Sequence, residues 1–360
     1  MTLWSELAPI LSTGDSLTYD QSRALMRTIM AGELDDVKLS AFLSMVAVRG
    51  IDVTELRGLA DHMQAAAEPI DLPSAVVDIV GTGGDGANTV NISTMAAIVI
   101  AASGCPVVKH GNRASTSACG SADLLEELGV DLSIDGSQIT TAFADAGIAF
   151  LFANKFHPSM RHAARVRRGL GFPTAFNILG PLTNPVQPVA SVVGVSRANA
   201  APLVAGVFAE RGANAFVFRG QEIGLDELST VEPVRIWVVQ GGEVTEVDRD
   251  PAALLGIPRA DLHDLRGGSA AHNAAVAHQV LSGGEGPIAD AVALNAALAI
   301  MAAAAAGVGT AEVRSAFDST DWHNLETFTE GLLTGVEIAR KTMRDGSARR
   351  TLETWVGATH

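Results

Sequence analysis

This 360-residue chain is poor in cysteine and in positive charge. Cys105 and Cys119 are its only thiols, and neither belongs to a C-x-x-C pair or a metal-ligand spacing. That fits a reduced, cytosolic protein better than a disulfide scaffold. Lys and Arg total 25 against 40 Asp and Glu, a formal net charge of −15. So acidic a surface does not attract nucleic acid or anionic membrane, and an anionic ligand would need a local basic pocket. The opening MTLWSELAPI has no basic region followed by an apolar run, so no signal peptide is expected there. Internal repeats and low-complexity tails are lacking as well.

Long hydrophobic runs are scarce too. Only Ala291 to Val308 reaches membrane-spanning length, interrupted by Asn295 alone. It is mostly alanine, which lacks the transfer energy of Leu or Ile that drives insertion. A buried helix packed closely on a sheet is therefore expected. What the chain does have is 48% hydrophobic and 18% charged residues, enough for a sizeable core.

The first 72 residues read as helices only. Thr18 with Gln21 forms a capping box ahead of the stripe Leu25, Ile29 and Met30, and Gly32 can stop that helix. A second helix carries Leu39, Phe42, Leu43 and Val46 up to Gly50. A third carries Leu56, Leu59, Ala60 and Met63 and ends before Pro69. The rest, 73–360, reads as α/β. The β-rich runs 76–80, 106–110, 148–152, 190–195 and 214–218 alternate with helical stretches, which argues for a mainly parallel central sheet. Residues 233–247 carry two strand-like runs around Gly241-Gly242 and read as a hairpin. From Gly268 onward the chain is mostly helical.

The stretch DIVGTGGDGANTVNIST, 78–94, contains the spacing G-x-G-x-x-G between a strand and a helix, where backbone amides approach phosphate oxygens. A nicotinamide site also needs an acidic residue about 20 positions further on for the ribose. None lies between Gly86 and Lys109, and the next strand ends in Lys109-His110. The phosphate loop G-x-x-x-x-G-K-[ST] is absent too. Instead Thr89, Asn91, Ser93 and Thr94 crowd the helix start. They can cap it, but four exceed what one cap uses, so ligand or metal contacts are expected for some.

KHGNRASTSACGSADLLEELG, 109–129, repeats the design: Lys109 and Arg113 offer charge, Ser115, Thr116, Ser117 and the backbone offer donors, and Ser121 can cap the following helix. Two anion loops at adjacent strand ends suggest a ligand with two separated phosphate groups. After the strand at 214–218, Asp226-Glu227 is the kind of pair that holds Mg²⁺ while substrate phosphates complete the shell; taken alone it would read as a solvated turn. In 157–185, Arg161, Arg165 and Arg168 share one helix face and Arg167 a neighbouring one. A basic helix face is commonly just solvated, yet an arginine fork can bind a carboxylate, so one of these could hold an acidic co-substrate.

Taken in order, GTGGDG with NIST, KHGNR with GSADLLE, HPSMRHAARVRRGLG with FNILGPLTNP, and GLDE resemble the anthranilate phosphoribosyltransferases of tryptophan biosynthesis. The resemblance implies a small helical domain joined to a larger α/β domain, with the segment near 160–185 returning to the small domain, a site in a hinge cleft and a homodimer through the helical domains. It implies Mg²⁺-dependent transfer of the 5-phosphoribosyl group of phosphoribosyl pyrophosphate (PRPP) to the amine of anthranilate. By matching motifs, Gly81, Gly84, Asp85, Thr89, Asn91, Ile92, Ser93 and Thr94 would contact PRPP. So would Lys109, His110, Gly111, Asn112, Arg113, Ala114, Ser115, Thr116, Ser117 and Ser121. Ser93, Asp226 and Glu227 would hold Mg²⁺; Gly81, Asn112 and Arg167 would contact anthranilate, Arg167 at its carboxylate. Lys109, His110 and Arg167 are the catalytic candidates, His110 being the one nearby group that could act as a base. Cys119, Gly169 and Pro173 depart from the usual pattern without removing any of these contacts.

Two rival readings are weighed. A pyrimidine nucleoside phosphorylase shares the two-domain fold and a related glycine loop, but it has no use for the GLDE pair. A non-catalytic relative that binds nucleic acid would show a basic surface and broken motifs, and this chain has neither.

Overall fold

The computed structural model describes residues 2–114 and 118–360, so the expected contacts at Ser115, Thr116 and Ser117 lie outside the described residues. The chain forms two compact units, Met1–Pro69 with Ala153–Pro185, and Ile70–Phe152 with Val186–His360. The segment that joins the helical unit thus starts at Ala153, before the stretch near 160.

The first unit is helical. Its opening helices are Leu3–Thr13, Tyr19–Met30, Asp36–Arg49 and Val53–Ala65. The first escaped the sequence reading because its local signals are weak: Thr2 makes no capping bond and Pro9 sits inside. Burial of Leu7 and Leu11 stabilises it instead. The second starts as expected, Thr18 Oγ1 accepting from Gln21 N at 3.3 Å and Gln21 Oε1 from Thr18 N at 2.9 Å. Asp52 and Glu55 build a similar box for the fourth. Glu55 is buried, and its carboxylate also accepts from Leu17 N at 2.7 Å and from Arg49 Nη2 at 2.7 and 2.6 Å. Bonds from Gln64 Nε2 to Asn184 O (2.9 Å) and from Glu68 N to Phe156 O (2.8 Å) tie the returning segment to these helices.

The second unit is built on a seven-stranded sheet of order β3-β2-β1-β4-β5-β6-β7. β1 (Val77–Gly81), β2 (Val107–Gly111), β3 (Ile148–Phe152), β4 (Ala190–Gly194) and β5 (Asn214–Gly220) run parallel. β6 (Val234–Gln240) and β7 (Glu243–Arg249) form the expected hairpin, with Gly241 and Gly242 at φ 61° and 82° in its turn. From β1 the chain winds outward through β2 to β3, then returns to place β4 on the other side of β1. The carboxyl end of β1 is therefore a topological switch point, where a crevice opens in such sheets. The alanine-rich segment is the helix Pro287–Ala305, buried almost throughout against β1, β4, β5 and the helices Ile92–Ala102 and Leu325–Arg344. Its small side chains permit that close approach.

Candidate active site

The glycine loop leaves β1 at the switch point and enters the helix Ile92–Ala102. Gly83, Gly84, Gly86 and Asn88 all take positive φ, between 52° and 84°, a run only glycine and asparagine adopt without strain. Such a backbone turns several amides outward as an anion cradle. Asp85 Oδ1 accepts from Ala87 N at 3.0 Å within the loop. The loop's second limb is fastened to residues 265–267: Thr89 bridges Arg266, Val90 N donates to Leu265 O, and Gly267 N donates to Asn88 O.

The hydroxyl and amide groups at the helix start do several jobs, and side-chain capping by Asn91 is not one of them. Asn91 Nδ2 donates to Cys119 O at 3.0 Å, and its Oδ1 accepts from Asn273 Nδ2 at 2.8 Å. Asn91 therefore ties the glycine loop to the second loop, with Asn273 as its support; Asn273 also accepts from Gly268 N at 2.8 Å. The sequence reading missed Asn273, which stands in no motif and makes its contact across 182 residues. Ile92 is buried in the core, so only its backbone faces the loop. Ser93 N donates to Glu227 Oε1 at 3.1 Å, and its hydroxyl bonds the same carboxylate. Thr94 Oγ1 is buried with no hydrogen-bond partner among the described residues.

β2 delivers Lys109 and His110 to the neighbouring strand end, both buried. Lys109 Nζ donates to Ile79 O at 2.5 Å. Burial lowers its pKa, against the pull of Asp78, Glu227 and Asp226 upward. His110 N donates to Asp78 Oδ1 at 3.2 Å. Beyond Gly111, Asn112 Oδ1 accepts from Arg113 N at 2.8 Å. Two expectations change here. Arg113 is engaged by Asp123 (2.8 Å) and Glu126 (2.6 Å), because both acids lie on the helix Ser121–Glu127 that faces it, so its charge is not offered singly to phosphate. Ser121 is the first residue of that helix and not its cap. Asp123 reaches back instead, its Oδ2 accepting from Gly120 N at 2.9 Å and Ala114 N at 3.1 Å.

The acidic pair meets the glycine loop directly. Asp226 is buried, and its Oδ2 accepts from Gly83 N at 2.5 Å. Glycine is required at two strand ends to let it in: a Cβ on Gly81 would lie 2.6 Å from Asp226 Oδ2, and one on Gly194 would overlap the Asp226 carbonyl. Burial first, then the charges of Asp85 and Glu227, push Asp226 well above the usual carboxylate range. Glu227 is less buried as a residue, but its carboxylate is enclosed by protein, and burial raises its pKa to about 7 in spite of Lys109 and Ser93. Three carboxyl groups thus approach each other with one buried ammonium among them. Among the described residues no three His, Cys, Asp or Glu groups form a complete metal cage. A hard cation that takes part of its shell from carboxylate oxygens and the rest from substrate and water suits this donor set.

Gly81, Gly84, Asp85, Asn91, Ser93, Lys109, Asp226 and Glu227 therefore gather at one edge of the α/β unit. Arg167 belongs to the helical unit. On the helix Arg161–Leu170, Arg161, Arg165 and Arg168 are exposed while Arg167 is half-buried, its guanidinium 5.2 Å from the Phe176 ring centroid. Burial lowers its pKa, and it forms no ion pair among the described residues. Arg165 Nε is held by Asp36 at 2.6 Å.

Comparison with known proteins agrees over the whole length. Residues 73–349 match the model of the glycosyl transferase family a/b domain, and residues 9–67 that of its helical bundle domain. The chain is 47% identical to an anthranilate phosphoribosyltransferase of Arthrobacter sp. (strain FB24), over 99% of this chain and 96% of that protein. The structure matches the crystal structure of anthranilate phosphoribosyltransferase from Thermus thermophilus with a TM-score of 0.84 at 38% identity, covering 100% of this chain and 99% of the other. The Saccharomyces cerevisiae enzyme in complex with PRPP and Mg matches with a TM-score of 0.81 at 28% identity, covering 99% and 97%.

Proposed function

Because the chain belongs to the anthranilate phosphoribosyltransferase family, we propose that its α/β unit holds PRPP with Mg²⁺ and that Arg167 takes the carboxylate of anthranilate. The enzyme transfers the 5-phosphoribosyl group of PRPP to the anthranilate amine, giving N-(5-phosphoribosyl)anthranilate and pyrophosphate. The observation that carries the site reading is the burial of Asp226 against the glycine loop, with Glu227 held at the start of the next helix by Ser93 and Lys109 beside them. Charges so placed are costly unless a ligand completes them, which is the mark of a functional site.

In the reaction the amine nitrogen bonds to the anomeric carbon of ribose, the bond from that carbon to pyrophosphate breaks, and the nitrogen loses a proton. Positive charge grows on the ribose ring and negative charge on the leaving group. Mg²⁺, held by Asp226, Glu227 and Ser93, would supply charge neutralisation at the departing pyrophosphate. Lys109 adds a fixed positive charge there at no reorganisation cost. The outward amides of the glycine loop hold phosphate oxygens, and Asn91 keeps the two loops at a set separation. Arg167, desolvated and without a competing acid, would orient anthranilate by its carboxylate, so positioning contributes more than any strong base. His110 is the candidate to receive the amine proton.

A homodimer and a cytoplasmic location belong to the same proposal. Val37 and Val48, exposed on one face of the helix Asp36–Arg49, support the first; the buried thiols of Cys105 and Cys119, which form no disulfide among the described residues, support the second.

The test follows anthranilate fluorescence during turnover with PRPP, with and without Mg²⁺, for the wild type and Arg167→Ala. Mg²⁺-dependent loss of anthranilate is expected. In the variant its KM should rise about 10- to 100-fold, the value of one charge-assisted contact. An unchanged KM would remove Arg167 from the site.

A further inference from the structure

The loop that presents Asp226 and Glu227 is fastened on both sides by buried side chains that belong to none of the motifs. On the near side stands Glu232, only 3% exposed. Its carboxylate accepts from four consecutive amides: Glu222 N at 2.6 Å, Ile223 N at 2.7 Å, Gly224 N at 3.2 Å and Leu225 N at 2.9 Å. A Cβ on Gly220 would overlap that carboxylate, so the strand end is shaped to admit it. Glu232 forms no ion pair among the described residues; backbone amides alone balance its charge.

On the far side stands Asn295, the one polar side chain between Ala291 and Ala305 of the alanine-rich helix and fully buried. Its Oδ1 accepts from Leu228 N at 3.2 Å, and its Nδ2 donates to Leu228 O and Ala291 O, both at 2.8 Å. Alanine would favour this helix and avoid the cost of burying an amide. The amide is accounted for by what it grips, both backbone groups of the residue that follows Glu227.

We propose that Glu232 and Asn295 are positioning residues that set the placement of Asp226 and Glu227 for the cation. Four amides drawn onto one carboxylate fix the chain up to Leu225, and the two-point clamp on Leu228 fixes it again, leaving only Asp226 and Glu227 between the anchors. Neither side chain is expected to touch substrate or metal. The proposal rests on the reading of Asp226 and Glu227 as cation ligands.

The experiment measures the initial rate against free Mg²⁺, with the KM for anthranilate, in wild type, Asn295→Ala, Glu232→Gln, Asp226→Asn and Glu227→Gln. Melting curves verify that each variant is folded. Alanine suits the helix around position 295, and Asn295→Ser is the second variant should Asn295→Ala not fold. Both positioning variants should raise the half-saturating Mg²⁺ concentration about tenfold or more, the usual effect of losing a support behind a metal ligand, with the anthranilate KM within about twofold of wild type. A lower kcat with unchanged Mg²⁺ dependence would mean a merely structural role and would overturn the proposal alone. If Asp226→Asn and Glu227→Gln also left the Mg²⁺ dependence unchanged, the cation reading itself would fall and this inference with it.

Discussion

In the helical unit the buried charge of Glu55 finds its partners at home, whereas at the switch point of the α/β unit the charge of Asp226 does not. Glu55 has Arg49 on both oxygens together with the amides of Leu17 and Asp52, all inside one unit. Asp226 has one amide and two further acids for company among the described residues, and the ammonium of Lys109 beside them is already donating to Ile79 O. A closed set contributes stability and little else. An open one keeps its charges available for something that arrives, and it holds the groups a phosphate-rich, cation-bearing substrate would complete.

That contrast can be broken at either end. The largest effect is expected from Lys109→Met, which removes the buried ammonium: kcat should fall about 10²- to 10³-fold, the value of one preorganised group at a developing charge. A turnover within twofold of wild type would show that Lys109 merely fills space. Next comes Gly194→Ala, whose added methyl overlaps the Asp226 carbonyl and must displace the acidic loop. A loss of about tenfold in kcat/KM at limiting Mg²⁺ is expected, in line with other disturbed metal supports. Glu55→Ala tests the closed set. Chemical denaturation should show a loss of about 3 kcal/mol, since Arg49 is left without its partner, while kcat per folded enzyme stays unchanged. The smallest effect belongs to Arg165→Ala. Its pair with Asp36 is exposed, so neither stability nor the anthranilate KM should move measurably, in contrast to its half-buried neighbour Arg167. A KM rise in Arg165→Ala as large as in Arg167→Ala would mean that the wrong face of the helix was chosen.

The elements that were legible in the chain are those whose signal is local. The five parallel strands announce themselves as short apolar runs, and β6–β7 by a pair of glycines between two such runs. Thr18-Gln21 marks a helix start because both partners of the box lie within one turn. The helix Leu3–Thr13 was not legible, since an interior proline and an unused cap hide it and only burial of Leu7 and Leu11 explains it. At the site, the glycine loop, Lys109 and the acidic pair stood out by residue type at strand ends. Arg113 and Ser121 did not behave as their types suggested, because Asp123 and Glu126 engage the first and Asp123 performs the second's capping. Glu232 gave no signal at all. Asn295 was visible only as a break in an apolar run.

By itself, the sequence determined most of the strands and the helices with clear caps or stripes, where backbone can turn left-handed, and which side chains are able to carry charge to a phosphate. These depend on spacing, capping and φ, all properties of near neighbours. Only the tertiary structure decided that β4 lies beside β1, so that Asp226 closes on Gly83 across 143 residues, that Asn273 supports Asn91, and that Asn295 grips Leu228. Such contacts follow from the winding order of the sheet and from which polar groups remain to be satisfied once the core has closed. No local pattern encodes either.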